Sequence, residues 1–581
     1  MKNAARSRWV DPLVGLALGV AFVALLLDTA GNLGYARDEG FYFAAADRYA
    51  AWFELLASDF RTAVSRRAVD AAWSVNHEHP ALIKSLFALS SHTLQGKLGL
   101  FSMPGTSYRF PGMVLSGIGV ALVYWWGTAA RGRAAGLVSA GLFAMMPRYF
   151  YQAHLACFDA AIVTVWLLCA YCYWRSLRDG GSVWPLLCGL TFGLALNTKH
   201  NSWFLPIVCS AHATAIVLHG LITREPKGDV PRRALTALMA MALIGPIVMV
   251  AMWPWLWRDT FARLREYALF HLEHDYYNME FFGVTYWTPP MPRLYAPVMT
   301  AATVPTITLL LALLGLAMAA RTRLVPTLGK LVERVGSRGR AVPLLAKLQR
   351  GPRSPSDPAA TELLWFLGIA AIYAAWLSPK TPIFGGTKHW MTAYPFLALF
   401  AGSAFAALVR RAGIALRRQG RHAALAQLGR GPLPAVVMGA MVLVAPIAET
   451  LHAHPFALSA YTPLVGGASG AATLGLNRTF WGYTTGAVVD YLNAEVPRGG
   501  TVYIHDTLWP SWEMLIRDGR LRKDIRGVGS SAKADFALYH HEQHMQGEAY
   551  QAWVALGTTS PAHIGGLDGV PVILVYRARR P

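Results

Sequence analysis

Apolar runs of roughly 16 to 22 residues recur through the first three quarters of the 581-residue chain, each near the length a helix needs to cross a bilayer. They predict eleven spans, near 10–27, 109–128, 134–150, 156–174, 183–197, 201–219, 234–253, 297–319, 361–378, 390–409 and 434–449. The expected fold class is therefore a polytopic α-helical membrane protein. Only 15% of residues are charged, against about 25% in a soluble protein, and 54% are hydrophobic. Twenty Trp and 23 Tyr fit aromatic belts at the two interfaces.

The net charge of +21 does not mark a nucleic-acid binder, because the positive charge sits mainly in short loops between apolar runs. With the N-terminus in the cytoplasm, the inside loops carry Arg131 and Arg133, Arg175 and Arg178, and Arg224, Lys227, Arg232 and Arg233. The 320–360 and 410–433 loops are also strongly basic, and the outside connections are far less so, as the positive-inside rule requires. The proline-bearing 320–360 loop reads as a cytoplasmic linker, either solvated or lying on anionic headgroups. Lys2, Arg6 and Arg8 precede the first run without a small-residue cleavage site after it, which predicts an uncleaved transmembrane helix.

This orientation leaves 28–108 and 254–296 as large extracytoplasmic loops, with 450–581 as a soluble tail on the same side. Thr501–His505, Ala534–Tyr539 and Val570–Tyr576 read as strands, and 486–495, 509–518 and 544–556 as helices. The tail is expected to be a small α/β domain, separate from a catalytic unit over 1–449. Cys157, Cys169, Cys172, Cys188 and Cys209 read as apolar wall residues, with no disulfide framework or zinc knuckle indicated.

Unusual polar residues gather on the outer side: Asp38 and Glu39; His77, Glu78, His79 and Lys84; Arg148, His154 and Asp159; Asn197, Lys199 and His200; His271, His274 and Asp275; Lys380, Lys388 and His389. Such convergence suits an anionic ligand held by cations and a proton taken by a carboxylate. Blander readings stand beside each. Asp38-Glu39 can start an interfacial helix. Asp159 can sit in an interhelical salt bridge, and Lys199 and Lys388 can snorkel. His77-Glu78-His79 lacks the spacing that puts two metal ligands on one helical face.

These residues, in this order, resemble the protein O-mannosyltransferase and aminoarabinose transferase branch of the GT-C glycosyltransferases. The carboxylate pair of the first outer loop is matched by Asp38-Glu39 with Phe41 and Tyr42. A His-Pro-Pro-Leu-x-x-Lys-like motif is matched by His79-Pro80-Ala81-Leu82-Ile83-Lys84, with Ala81 in place of the second proline. Arg148 through Asp159, Thr198-Lys199 and Thr387–Pro395 match later motifs, so the resemblance covers roughly 10–410. It implies transfer of a sugar from a polyprenyl-phosphate donor to an acceptor hydroxyl of a protein, glycolipid or glycan on the outer face, with inversion. Asp38 and Glu39 are then the catalytic carboxylates, Asp38 the base with Glu39 its support, or the two in reversed roles. Lys84, Lys199, Arg148, Lys388 and His389 hold the donor phosphate, and His77, His79 and Asp159 orient the site. No cofactor is required by this chemistry, although a divalent metal is compatible with it. A transporter or flippase of a lipid-linked sugar is the alternative, but internal repeats and midplane polar groups are not evident.

Overall fold

The computed structural model describes residues 2–223, 228–335, 357, 359–418 and 431–579. Arg224, Lys227 and residues 336–356, 358 and 419–430 of the basic loops lie outside the described residues. Among the described residues, seven helices are long and apolar enough to cross a membrane: Trp9–Asn32, Pro104–Arg131, Phe158–Asp179, His200–Ile222, Val230–Met252, Met391–Arg418 and Leu433–Ala453. Four shorter apolar helices, Arg133–Ala144, Val183–Leu196, Thr306–Thr322 and Thr361–Trp376, occupy the places of the other expected spans. The protein is a multi-pass helical membrane protein. Its five cysteines are free and buried.

Two expected spans break where proline dictates. The 134–150 run divides into helices Arg133–Ala144 and Pro147–His154, and Met146 between them is extended at φ −94°, ψ 115°. The 297–319 run divides into Tyr295–Thr303 and a helix from Thr306, with Val304 extended before Pro305. In both cases the proline ring disfavours helical geometry in the preceding residue. Pro147 itself suits the first helical position, where its missing N–H leaves nothing unpaired.

A two-stranded hairpin, β1 (Met279–Phe281) and β2 (Val284–Tyr286), lies in the 254–296 loop. The C-terminal region holds a five-stranded sheet of β3 (Thr501–Tyr503), β4 (Arg526–Val528), β5 (Phe536–His540), β6 (His563–Leu567) and β7 (Val570–Arg577). Its order is β4-β3-β5-β7-β6, with β3 parallel to β4 and β5, and β7 antiparallel to β5 and β6. Parallel neighbours need a crossover, and helix Trp509–Arg517 supplies it between β3 and β4. Strands β4 and β6 were not expected, since β4 is three residues long and Gly565-Gly566 dilutes the pattern of β6. The Asp568-Gly569 turn, with φ of 52° and 76°, has the two positive φ values that a tight β-hairpin uses.

The C-terminal region packs without a break onto the helical part. Val502, Ile504, Trp512 and Leu538 belong to the same contiguous apolar core as Leu26, Phe43 and Trp166. Several of its polar anchors reach the segment just before Asp38. Arg520 donates to the Leu33 carbonyl at 2.5 Å, Tyr35 bonds to Asp518, Ser511 donates to the Ala36 carbonyl at 3.3 Å, and Arg37 pairs with Asp506. The first loop is thereby held from above by a segment 475 to 487 residues later in the chain.

Candidate active site

Asp38 and Glu39 occupy the first turn of helix Arg37–Ser58, where the helix dipole favours acids. They have different surroundings. Glu39 is fully buried and both its oxygens are engaged. Oε1 accepts from Arg109 Nε at 2.8 Å and from the Ala156 N–H at 2.9 Å. Oε2 accepts from an Arg109 Nη at 2.8 Å and from the Ala36 N–H at 2.9 Å. Glu39 therefore starts the helix and ties it to helix Pro104–Arg131 and to the turn that precedes helix Phe158–Asp179, and both its oxygens are already occupied. Asp38 is partly exposed and receives Lys388 Nζ at 3.1 Å. Of the two carboxylates, only Asp38 is placed to meet a ligand.

Lys84, expected at a phosphate, is used differently. Its ammonium is buried and donates to the carbonyls of Asn76 (2.5 Å) and His79 (2.9 Å) and to Asn76 Oδ1 (3.2 Å). Three N–H groups and three acceptors leave none for a ligand. The lysine thus closes the Asn76–His79 turn, in which Asn76 adopts a left-handed φ of 55°. Burial pushes the Lys84 pKa down to about 7, opposed by the charge of Glu78. Lys84→Met should lower the heat resistance of the purified protein, since each buried acceptor left unpaired costs about 1–3 kcal/mol. If the resemblance holds and the protein takes a polyprenyl-phosphate donor, the variant's affinity for polyprenyl phosphate should stay within about threefold of wild type. A tenfold loss of affinity in a folded variant would return Lys84 to the phosphate.

His77 is engaged by the second large loop. Nδ1 meets the Ser74 carbonyl and Nε2 meets Glu266, each at 2.8 Å, on the far helix Thr260–Leu272. It joins the two large loops, as do Arg66–Asp259 at 2.6 Å and Arg263–Asp70 at 2.7 Å. His79 lies closer to the centre, its ring 4.8 Å from Phe158, 5.9 Å from His271 and 6.1 Å from Tyr42. Desolvation, and then the charges of Lys84, His271, Lys199 and Lys388, hold its pKa well below the usual histidine range. A neutral imidazole results, in electrostatic reach of three lysines from three loops.

Lys199 donates to Asp159 Oδ1 at 2.6 Å in a nearly dry pair, while Asp159 Oδ2 has no hydrogen-bond partner among the described residues. The turn at Asn197–Lys199 is tied to the first loop through the Leu82 N–H and the Asn197 carbonyl, 3.0 Å apart. Arg148 is buried beside the Tyr461 ring, 5.2 Å from its centroid, and donates only weakly, at 3.4 Å, to the Ala460 carbonyl. It has no ion pair among the described residues and does not contact Asp38. His389, also expected at the phosphate, bonds through Nε2 to the Phe384 carbonyl and packs 4.5 Å from the Trp376 ring. It shapes its own loop.

Lys388 reaches Asp38 because Gly385 and Gly386, with φ of 69° and 61°, turn the loop sharply beneath it. A Cβ at Gly385 would collide with the lysine side chain. The ammonium lies 3.8 Å from the centroid of the Trp481 ring, which comes from the C-terminal region. Arg109 and Trp481 were both missed from sequence. Arg109 carried a usable signal, an arginine at the head of an apolar run, where ionisable groups demand a partner. Trp481 carried none. Among the described residues, no group of three or more His, Cys, Asp or Glu side chains converges as metal ligands do.

Residues 89–253 match the family profile described as dolichyl-phosphate-mannose-protein mannosyltransferase. No curated protein matches by sequence. Among solved structures, ArnT from Cupriavidus metallidurans bound to undecaprenyl phosphate is 16% identical with a TM-score of 0.44, covering 96% of this chain and 97% of that one. The archaeal oligosaccharyltransferase AglB from Archaeoglobus fulgidus, in complex with an inhibitory peptide and a dolichol-phosphate, is 10% identical with a TM-score of 0.41, covering 93% and 71%. Likenesses this distant bear on neither ligand nor reaction. Residues 89–253 thus match the dolichyl-phosphate-mannose-protein mannosyltransferase profile, within a chain whose apolar helices make it a multi-pass helical membrane protein.

Proposed function

We propose that the protein transfers a sugar from a polyprenyl-phosphate donor to an acceptor hydroxyl, on the side of the membrane where the C-terminal region lies. The observation that carries this reading is the Asp38–Lys388 pair, a carboxylate and an ammonium 3.1 Å apart, with the carboxylate partly open. A phosphate arriving with the donor competes for Lys388 and releases Asp38. The acceptor oxygen then attacks the anomeric carbon as its proton passes to the Asp38 carboxylate. The bond from that carbon to the phosphate oxygen breaks, and the polyprenyl phosphate departs as an anion held by Lys388. An in-line displacement of this kind inverts the anomeric centre.

Lys199 adds positive charge to the same region, and Asp159 fixes its position. Glu39 is the scaffold under Asp38 rather than a second base, which divides the roles of the two carboxylates. The 450–581 region acts as a wall of the transfer site. No metal is needed in this scheme, since a leaving phosphate monoanion or dianion can be met by lysine side chains. The positive-inside pattern of the loops favours the extracytoplasmic face.

The test uses purified protein in nanodiscs, a panel of undecaprenyl-phosphate sugars and a membrane extract as acceptor source. Release of undecaprenyl phosphate should require both donor and acceptor and should fall sharply in Lys388→Ala. Movement of labelled donor across proteoliposomes without any release would overturn transfer in favour of transport.

A further inference from the structure

Trp481 touches Lys388 and the residue next to Asp38 through different parts of one residue. Its backbone carbonyl accepts the N–H of Arg37, the residue immediately before Asp38, at 2.8 Å. Its indole ring lies under Lys388 Nζ at 3.8 Å, closer than the Phe384 ring at 5.6 Å on the lysine's own loop. The first contact fixes where the helix bearing Asp38 begins. The second fixes the ammonium against an aromatic face, where the ring quadrupole attracts a cation.

The backbone at this residue is unusual in a way that serves both contacts. Trp481 has a φ of 76°, and Gly482 follows at 61°. A left-handed φ is unfavourable for a bulky side chain and persists only where the surroundings enforce it. Here the Arg37 side chain pairs with Asp506, and a Cβ on Gly482 would strike the Asp506 backbone carbonyl. The turn is thus clamped between the helix start of Arg37 and the Asp506 loop.

We propose that Trp481 is a positioning residue of the transfer site, contributed by the C-terminal region, which holds Lys388 in register with Asp38 so that the ammonium is ready for the donor phosphate. This rests on the reading of Lys388 as the phosphate-holding cation. A lysine on a flexible stem loses affinity for a ligand when it must first be ordered, and preorganising it removes that cost. The C-terminal region thereby has a direct part in donor binding as well as a packing role.

The experiment measures equilibrium binding of undecaprenyl phosphate to the full-length protein in nanodiscs by native mass spectrometry. Lys388→Ala and Trp481→Ala should each weaken binding roughly tenfold or more. Because Trp481→Ala also removes a buried ring, mono-, di- and trifluorinated tryptophan are placed at 481 by site-specific incorporation. Fluorine drains the ring face while keeping its shape, so affinity should fall stepwise with fluorine number while heat resistance stays constant. If Lys388→Ala loses binding but the fluorinated series is flat, the inference falls and the reading of the site stands. If Lys388→Ala binds like wild type, the site reading falls and the inference falls with it.

Discussion

Asp38→Asn should lower the turnover of sugar transfer by about 10² to 10⁴, the usual contribution of a positioned general base. Asparagine keeps the size and much of the hydrogen-bonding shape of aspartate but cannot take the acceptor proton. It also removes the charge that attracts Lys388, whose Nζ stands 3.1 Å from the carboxylate. The two consequences separate in kinetics. Loss of the base appears in kcat, while loss of the charge leaves Lys388 more available to the donor phosphate, so KM for the donor should stay constant or fall. The variant should retain wild-type heat resistance in detergent, because Asp38 is partly exposed and its helix is held by Glu39. Transfer by Asp38→Asn at more than a tenth of the wild-type rate would remove Asp38 from the base position.

Arg109→Ala should damage the fold more than any substitution at Asp38. The guanidinium and Glu39 are both almost fully buried, joined through two hydrogen bonds at 2.8 Å. Removing the arginine leaves a carboxylate in a dry interior with only the Ala36 and Ala156 N–H groups to solvate it. Breaking one side of a buried ion pair typically costs about 3–5 kcal/mol. The Arg109 side chain also donates to the Gly34 carbonyl at 2.6 Å and lies over the Tyr35 ring at 4.2 Å, so the loop before Asp38 loosens as well. The measurement is the fraction of monodisperse protein left after heating, compared for Arg109→Ala, Glu39→Gln and the double variant. The double variant should recover part of the loss, because it leaves no unpaired charge behind. Additive losses would show that Glu39 and Arg109 act independently.

The positions of the apolar helices were legible in the sequence because hydrophobic length is a local property. Prolines 147 and 305 divided two of the expected runs, and the extended residue before each was equally local, although the runs looked continuous by composition. In the C-terminal region, β5 and β7 were readable from their dense β-branched and aromatic content. β4 and β6 were not, since each draws its stability from pairing with a neighbour rather than from its own residues. The Asp568-Gly569 turn was the overlooked clue to β6.

For the candidate site, the sequence placed Asp38, Lys199, Asp159 and Lys388 among a limited set of polar residues at helix ends, because charge beside an apolar run is conspicuous. It could not assign their partners. Lys84 and His389 looked like ligand contacts, yet each is satisfied by carbonyl groups of its own loop, and backbone acceptors are invisible in a list of side chains. Lys388 and Asp38 are 350 residues apart, and nothing local to either predicts the pairing. The apolar periodicity by itself determined a multi-pass helical protein with its chemistry-bearing residues at the ends of the helices. Only the tertiary structure decided that Glu39 belongs to Arg109, Asp38 to Lys388, and Trp481 to Lys388 and to the start of the helix that carries Asp38. The physical reason is that a charge can be buried only against a specific partner, and packing, not sequence proximity, brings that partner within reach.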